Sequence, residues 1–215
     1  MSKKQLYISM ALAAVVVWIL VTIRMNAVPY LDRLIAQYVE NHVTPSIYTF
    51  ALGITELGSR SFMMPFTIVV GLLLVWLFKD WVPGLFFAGG TLFSHLIGQL
   101  IKILVGRERP SILMEANAEG FSFPSGHSLT PVVCYGFLLF LLFIKIQSKS
   151  IRVVLQILFI LLILSIGLSR IVINVHYLTD VIGGFAIGIL FLISLRLMYK
   201  YVQTHRSKEL PNRDR

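Results

Sequence analysis

Cysteine and charge are both scarce in this chain of 215 residues. The single cysteine, Cys134, excludes an intrachain disulfide framework and a cysteine-based metal site, and we interpret it as a small buried apolar residue. Charged side chains make up only 13% of the residues, and the mean hydropathy is +0.82. A composition this apolar excludes a soluble domain and indicates an integral membrane protein.

Long apolar stretches dominate the chain. A membrane span needs about 20 helical residues, and six stretches reach or approach that length: Leu6–Ile23, Ser61–Phe78, Trp81–Ile101, Ser128–Ile144, Val153–Leu168 and Val181–Met198. We therefore predict an all-α integral membrane protein with six transmembrane helices. No small-residue cleavage site follows the first stretch near Ala27, so we interpret that stretch as an uncleaved anchor. Residues 1–200 are predicted to form a single six-span domain, and residues 201–215 a polar cytoplasmic tail.

Charge is divided unevenly between the two sides of the predicted bundle. The termini and the even-numbered connections share one side, which holds twelve basic and three acidic residues, a net charge of +9. The other side holds seven of each sign, a net charge of zero. The positive-inside rule then places both termini in the cytoplasm. Because the basic residues are spread over separate segments, they do not indicate a nucleic-acid surface, and the pattern gives no sign of an obligate protein partner.

A short amphipathic segment, residues 28–43, lies between the first two spans. Its apolar side chains at helical spacing are Leu31, Leu34, Ile35 and Tyr38, and its polar side chains elsewhere around the helix are Asp32, Arg33, Gln37 and Glu40. The pattern predicts a helix lying on the outer interface. Two roles stay open for it: a lid or lateral gate for a lipid substrate, and simple packing at the interface.

Three polar clusters border the spans, and the predicted topology puts all of them on the outer face. They are Lys102-x6-Arg109-Pro110, Pro124-Ser125-Gly126-His127 and Ser169-Arg170-x5-His176-x3-Asp180. Unpaired cations at a membrane boundary are costly, so Lys102, Arg109 and Arg170 indicate an anionic partner. Guanidinium groups match phosphate oxygens well. The alternative is that the cations of the first cluster are only interfacial anchors.

The second cluster begins a span with residues that suit anion binding. Ser125, Gly126 and the first helical residues offer free backbone N–H groups and the positive end of a helix dipole. Gly126 also permits close approach because it has no side chain. We predict that this segment holds an anion, with His127 beside it.

The third cluster carries a second histidine four residues before an acid. On a helical turn His176 and Asp180 would share a face, so that the carboxylate accepts one imidazole proton and leaves the other nitrogen available as a nucleophile. His127, from a different loop, is then the candidate general acid.

Other polar and small residues in the spans are interpreted as structural. The remaining histidines are His42, His95 and His205. His95 and Gln99 fall on one helical stripe with Lys102, and we favour hydrogen-bonded packing inside the bundle over substrate contact for both. Gly184 and Gly188 have the spacing for close helix packing.

Together, the three clusters resemble the signature of the type 2 phosphatidic acid phosphatase family, membrane lipid phosphate phosphatases related to vanadium haloperoxidases and bacterial acid phosphatases. The resemblance implies that His176 forms a phosphohistidine, Asp180 orients it and His127 protonates the leaving group. The residues that it assigns to phosphate binding are Lys102, Arg109, Ser125, Gly126 and Arg170. It implies neither metal nor cofactor, and it gives Arg107 and Glu108 no role.

The resemblance leaves the substrate open. Bacterial members of this size resemble two kinds of enzyme, phosphatidylglycerophosphate phosphatases and undecaprenyl diphosphate phosphatases. We expect this chain to be of the first kind, and the second kind is the alternative. A non-catalytic lipid-phosphate binding or transport protein would need none of His127, His176 and Asp180, and six spans disfavour a soluble vanadate-dependent peroxidase. We expect a multi-pass protein of a bacterial plasma membrane, with its active site on the extracytoplasmic face.

Overall fold

The computed structural model describes residues 2–25, 28–110, 118 and 120–209, with side chains as far as Arg206. This part of the chain is all-α and contains no strand. Its eight helices are α1 (Lys3–Arg24), α2 (Tyr30–His42), α3 (Pro45–Glu56), α4 (Arg60–Phe78), α5 (Trp81–Val105), α6 (Gly126–Lys145), α7 (Lys149–Val172) and α8 (Leu178–Glu209). The predicted fold class is confirmed.

Within the described residues, six helical segments are long and apolar enough to cross a membrane: Lys3–Arg24, Pro45–Phe78, Trp81–Val105, Gly126–Lys145, Lys149–Val172 and Leu178–Arg206. Each predicted stretch lies inside one of them, so the prediction of six spans is confirmed. The second segment is longer than predicted because it includes α3, which a turn at Leu57–Ser59 separates from α4. The protein is a multi-pass membrane protein, and the many exposed apolar side chains on its spans are what contact with lipid requires.

Helix α6 is the central element, packed against α5, α7 and α8. Cys134 on α6 is fully buried, as predicted. A Cβ atom at Gly184 would lie 2.7 Å from the carbonyl oxygen of Ser125, and one at Gly188 would lie 2.9 Å from that of Leu129. Because neither distance leaves room for a side chain, the two glycines bring α8 against α6, which confirms their role in close helix packing.

Helix α2 lies where the sequence predicts a helix, but its orientation differs from the expectation. The side that packs on the protein carries Asp32 and Val39, which are buried. Three of the four apolar residues of the predicted face are exposed, Leu31 (59%), Leu34 (41%) and Tyr38 (63%), whereas Ile35 is partly buried and packs against the cluster of Val39, Ile171 and Val181. Apolar groups gain nothing by leaving lipid, whereas a carboxylate needs partners. Asp32, which the pattern places away from the apolar face, therefore lies on the side of α2 that packs on the protein.

Helix α5 turns a line of small and polar residues toward the bundle, and the line ends at the buried Lys102. Gln99 lies off this line and is exposed, and His95 is only partly buried. Packing inside the bundle is therefore wrong for Gln99. The left-handed Gly106 (φ 67°) ends α5 and turns the chain across the end of the bundle.

The predicted polar tail is partly helical, because α8 continues without a break through residues 201–209. Arg206 in this extension donates to both carboxylate oxygens of Asp80 at 3.0 Å. The boundary predicted at residue 200 therefore lies within a helix. The remainder of the tail, residues 210–215, lies outside the described residues.

Candidate active site

Hydrogen bonds join the first two sequence clusters at one end of the bundle. Lys102, in the last turn of α5, donates from Nζ to the carbonyl oxygen of Phe121 at 2.9 Å. Arg109 donates from Nε to the carbonyl oxygen of Gly120, also at 2.9 Å. The segment after α5 is therefore fixed against the segment that leads into α6.

The third cluster reaches the same place from the turn between α7 and α8. A terminal nitrogen of Arg109 donates to the carbonyl oxygen of Val175 at 2.9 Å. The amide of Ser125 donates to the carbonyl oxygen of Asp180 at 3.1 Å. All three clusters thus come together at this end.

The His176 side chain lies between a cation and an anion. It is 3% exposed; its Nε2 is 3.0 Å from a terminal nitrogen of Arg109, and its Nδ1 is 3.5 Å from Oδ2 of Asp180. The same carboxylate oxygen accepts the amide of Tyr177 at 2.9 Å. An arginine only donates. A hydrogen bond to Arg109 therefore makes Nε2 the acceptor and assigns the ring proton to Nδ1.

His176 and Asp180 meet in a different way from the helical turn that their spacing suggests. Helix α8 begins at Leu178, so His176 precedes it, while Asp180 lies in its first turn and folds back to cap the amide of Tyr177. This return from the third helical position is one half of a capping box. The helix start thus brings the carboxylate to 3.5 Å from Nδ1 of the imidazole, and Nδ1 has no hydrogen-bond partner among the described residues.

Burial lowers the pKa of His176 well below its usual range, and the nearby positive charges of Arg109, Lys102 and Arg170 act in the same direction. Protonation would place a further positive charge in a dry, cationic environment. The imidazole is therefore neutral at pH 7, as a nucleophile must be.

His127 lies in the first turn of α6. The residue is partly exposed as a whole, but Nε2 is buried and has no hydrogen-bond partner among the described residues. The turn between α3 and α4 packs against the ring, since a Cβ at Gly58 would lie 3.1 Å from Cδ2. The guanidinium of Arg170 and the ring of His176 are both close enough to interact electrostatically with the His127 ring. A buried polar atom of this kind points to a group that completes the site.

The start of α6 leaves space in front of its first amides. The helical hydrogen bonds begin with the amides of Ser128 and Leu129, which both donate to the carbonyl oxygen of Ser125. A Cβ at Gly126 would meet nothing within 4 Å, and Ser125 Oγ is buried without a hydrogen-bond partner among the described residues. An anion at this helix start would meet free N–H groups and the positive end of the dipole.

Arg170 lies at the end of α7 and is 1% exposed. One of its terminal nitrogens donates to the hydroxyl of Thr55 on α3 at 3.0 Å. Thr55 was not predicted as part of the site, because a single threonine in an apolar stretch carries no signal of its own.

Arg107, which the sequence left unassigned, forms hydrogen bonds with three side chains at the site. Its NH1 donates to Thr179 Oγ1 at 2.8 Å and to Asp180 Oδ1 at 2.5 Å, and its NH2 donates to Asp32 Oδ2 at 2.9 Å. The guanidinium also stacks over the Tyr177 ring, 4.3 Å from its centre. Its carboxylate partners come from α2 and α8, which sequence spacing alone does not connect.

The charges around the two histidines suit an anion. Lys102, Arg109 and Arg170 surround them, and in the described part of the chain no group of three or more His, Cys, Asp or Glu side chains is placed to hold a metal ion. Cations at these positions would repel a metal and attract a phosphate.

Comparisons with known proteins find similarity to lipid phosphatases. The profile of the PAP2 superfamily matches residues 83–206. Phosphatidylglycerophosphatase B of Bacillus subtilis is 29% identical over 191 residues, which cover 86% of this chain and 92% of the relative. A lipid A 1-phosphatase of Rhizobium etli is 29% identical over 133 residues, which cover 57% of this chain and 53% of the relative.

A solved structure has the same fold. It is the crystal structure described as the first transmembrane PAP2 type phosphatidylglycerolphosphate phosphatase from Bacillus subtilis, with a TM-score of 0.81 and 26% identity. The superposition covers 91% of this chain and 98% of that one. Since the superfamily profile also matches more than half of the sequence, the chain belongs to the PAP2 superfamily and is a membrane lipid phosphatase.

Proposed function

We propose that the protein dephosphorylates a membrane lipid phosphate without a metal, through a phosphohistidine on His176. The observation that carries the proposal is the buried imidazole with Nδ1 toward Asp180 and Nε2 toward Arg109, and the lowering of its pKa by burial favours the neutral form. In this structure the lone pair of Nε2 accepts a hydrogen bond from Arg109, and a phosphate bound by Arg109 would take that place in front of Nε2. A nucleophile oriented by a third group is the arrangement that covalent catalysis requires.

In the first step, Nε2 of His176 forms a bond to phosphorus as the bond between phosphorus and the leaving oxygen breaks. The phosphate oxygens are held by Lys102, Arg109 and Arg170, together with Ser125 and the amides at Gly126. The cations neutralise the charge that develops on the oxygens. Asp180 stabilises the imidazolium that the transfer creates.

His127 completes both halves of the reaction. It gives its proton to the departing alkoxide, which leaves as the lipid alcohol. The neutral His127 then takes a proton from a water molecule that attacks the phosphohistidine. Inorganic phosphate leaves, and His176 returns to its neutral form.

The substrate that we propose is phosphatidylglycerophosphate, which would be converted to phosphatidylglycerol. The support is the similarity to phosphatidylglycerophosphatase B of Bacillus subtilis, whose name states this activity and whose match covers most of both chains. Undecaprenyl diphosphate is the alternative. A role in binding or transport without catalysis is disfavoured, because binding a phosphate needs neither a nucleophile nor an acid.

Phosphate release from purified protein in detergent tests this assignment. The substrates are phosphatidylglycerophosphate, undecaprenyl diphosphate, phosphatidic acid, diacylglycerol diphosphate and a lipid A 1-phosphate, with His176→Ala protein as the blank. We expect the highest kcat/KM with phosphatidylglycerophosphate. A higher value with undecaprenyl diphosphate would make the alternative the function.

We also propose that both termini are cytoplasmic, that the site is extracytoplasmic and that residues 1–200 act as one domain. The excess of basic residues on the side of the termini supports the orientation. Asn41→Cys should react with a membrane-impermeant thiol reagent in intact cells, and Gln147→Cys only after permeabilisation. Both positions are exposed, and the wild type is the control because its Cys134 is buried. The reverse pattern would overturn the orientation.

A further inference from the structure

A buried cluster of charged and polar groups lies behind Asp180, on the side away from His176. It consists of Asp32, Arg107, Thr179 and Asp180, which are 1%, 8%, 6% and 0% exposed. Asp32 comes from α2, Arg107 from the segment after α5, and the other two from the start of α8. The cluster thus connects the helix between the first two spans to the catalytic end of the bundle.

Each oxygen of Asp32 has a defined partner. Oδ1 accepts the amide of Thr179 at 3.0 Å, and Oδ2 accepts the Thr179 hydroxyl at 2.6 Å and NH2 of Arg107 at 2.9 Å. Asp32 therefore binds the first turn of α8 and the guanidinium at the same time. The Thr179 hydroxyl donates a hydrogen bond to Asp32, and its oxygen accepts one from NH1 of Arg107.

Arg107 fixes the orientation of the Asp180 carboxylate. NH1 holds Oδ1, which leaves Oδ2 facing Nδ1 of His176 and the amide of Tyr177. Arg107 is in turn held by Asp32 and by the Tyr177 ring. A continuous chain of contacts runs from Asp32 through Arg107 and Asp180 to His176.

Arg107 differs from the three cations assigned to the phosphate. Both of its terminal nitrogens bind carboxylates, and it is 8% exposed. Two negative charges already surround its single positive charge, so it has little attraction left for a phosphate. Its geometry suits the orientation of Asp180.

We propose that Asp32 and Arg107 are positioning residues for the reaction, so that α2 is a fixed part of the catalytic machinery and does not act as a freely moving lid. The inference rests on the proposed roles of His176 and Asp180. Without Asp32 or Arg107 the Asp180 carboxylate can rotate away from Nδ1, so the loss should appear in the chemical step and leave substrate binding unchanged.

The test compares Asp32→Asn and Arg107→Met with Arg107→Lys, which keeps the charge, and with Arg33→Gln. Arg33 is the matched control, because it is the neighbouring charge on α2 and is exposed. All are assayed as purified full-length proteins in detergent, with thermal unfolding confirming that each is folded. We expect kcat to fall roughly ten- to a hundredfold in Asp32→Asn and Arg107→Met, the range typical of outer residues that orient a reactive group, with KM within about twofold.

Arg107→Lys should recover part of kcat, and Arg33→Gln should match the wild type. In the double variant the losses should not multiply, because both substitutions break one chain of contacts. An unchanged kcat in folded Asp32→Asn and Arg107→Met, or a rise in KM alone, would overturn the inference. If Arg107→Met does not fold, Asp32→Asn and Arg107→Lys decide the outcome, because the inference again requires a lower kcat with a nearly unchanged KM.

A His176→Ala protein in the same series separates this inference from the proposed function. If it is inactive while Asp32→Asn and Arg107→Met keep the wild-type kcat, only the positioning role fails. If His176→Ala still turns over substrate, the proposed function itself fails.

Discussion

An aspartate–arginine ion pair lies at each end of α5, and the two pairs have very different surroundings. Beyond its C-terminus, Arg107 binds Asp32 and Asp180, with side chains that are 7%, 0% and 0% exposed. Before its N-terminus, Asp80 binds Arg206, with side chains that are 24% and 35% exposed. The same chemical pair is buried and shared between two acids at one end, and partly open to solvent at the other.

The difference in burial determines what each pair can do. A solvent-exposed pair contributes about 0–1 kcal/mol, whereas removing one partner of a buried pair leaves a charge without compensation and costs about 3–5 kcal/mol. The buried pair holds a carboxylate in one orientation against His176. The open pair fastens the end of α8 to the start of α5, where Asp80 also caps the amide of Val82. Substitutions should therefore have large effects at the buried Arg107 pair and small effects at the Asp80–Arg206 pair.

The largest expected contrast is between the effects on kcat of replacing Asp180 and Asp80. Asp180→Asn should lower kcat by up to about 10⁴-fold, because an amide no longer accepts the imidazole proton and favours the wrong tautomer. Asp80→Asn should leave kcat within about twofold of the wild type. Steady-state phosphate release measures both, and equal losses in the two variants would remove the distinction between the ends.

The next contrast lies within the catalytic end and separates the two histidines. His127→Ala should slow hydrolysis of a lipid phosphate by roughly 10²–10⁴-fold, because general acid catalysis is lost. An aryl phosphate with an acidic phenol as leaving group needs no proton, so part of the rate should return. The ratio of the two rates in each variant is the measurement, and a loss that is equal for both substrates would contradict the role of His127.

Much of this arrangement could be predicted from sequence, because the membrane restricts the possibilities. The apolar stretches mark the spans, and successive connections between spans lie on opposite sides of the membrane. The three clusters could therefore be expected at one end of the bundle. The partners of Asp180 could not be predicted. Asp32 was assigned by its place on an isolated helix, and its partner Arg107 comes 75 residues later.

Contacts between distant segments explain the other differences. Gln99 faces outward because α5 turns Lys102 and its line of small residues inward. Thr55 joins the site through α3, a helix that precedes the predicted second stretch, Ser61–Phe78, and was not predicted. His176 lies just before α8 and Asp180 lies in its first turn. A separation of four residues in sequence does not distinguish this arrangement from two residues on one helical turn.

A smaller contrast between the two ends is expected in how thermal stability depends on pH. Because the pKa of His176 is lowered in the folded protein, the unfolded chain takes up a proton below about pH 6.5 that the folded protein does not bind. The contribution of His176 to stability is therefore present above pH 6.5 and is lost as pH falls toward the folded pKa. His176→Gln should lose less thermal stability than the wild type between pH 7 and 5.5, whereas Asp80→Asn should follow the wild type. Parallel curves for the wild type and His176→Gln would contradict a buried neutral histidine.

The smallest expected effect concerns the open pair itself. Arg206→Gln should lower the free energy of unfolding by less than about 1 kcal/mol, with unchanged activity, because the pair is partly exposed. Denaturation in detergent measures the change. A loss of several kcal/mol would mean that this end is as tightly coupled as the catalytic one.

The most direct measurement is to trap and locate the phosphoenzyme. Purified wild type, His176→Ala and His127→Ala proteins are incubated with labelled lipid phosphate in the presence of EDTA, quenched in base and digested for peptide mapping. Acid-labile, base-stable phosphate is expected on His176 in the wild type and in His127→Ala, and none in His176→Ala, which should also be inactive. Phosphate on His127, turnover by His176→Ala, or activity that EDTA abolishes and magnesium restores would contradict a metal-independent phosphohistidine mechanism at His176.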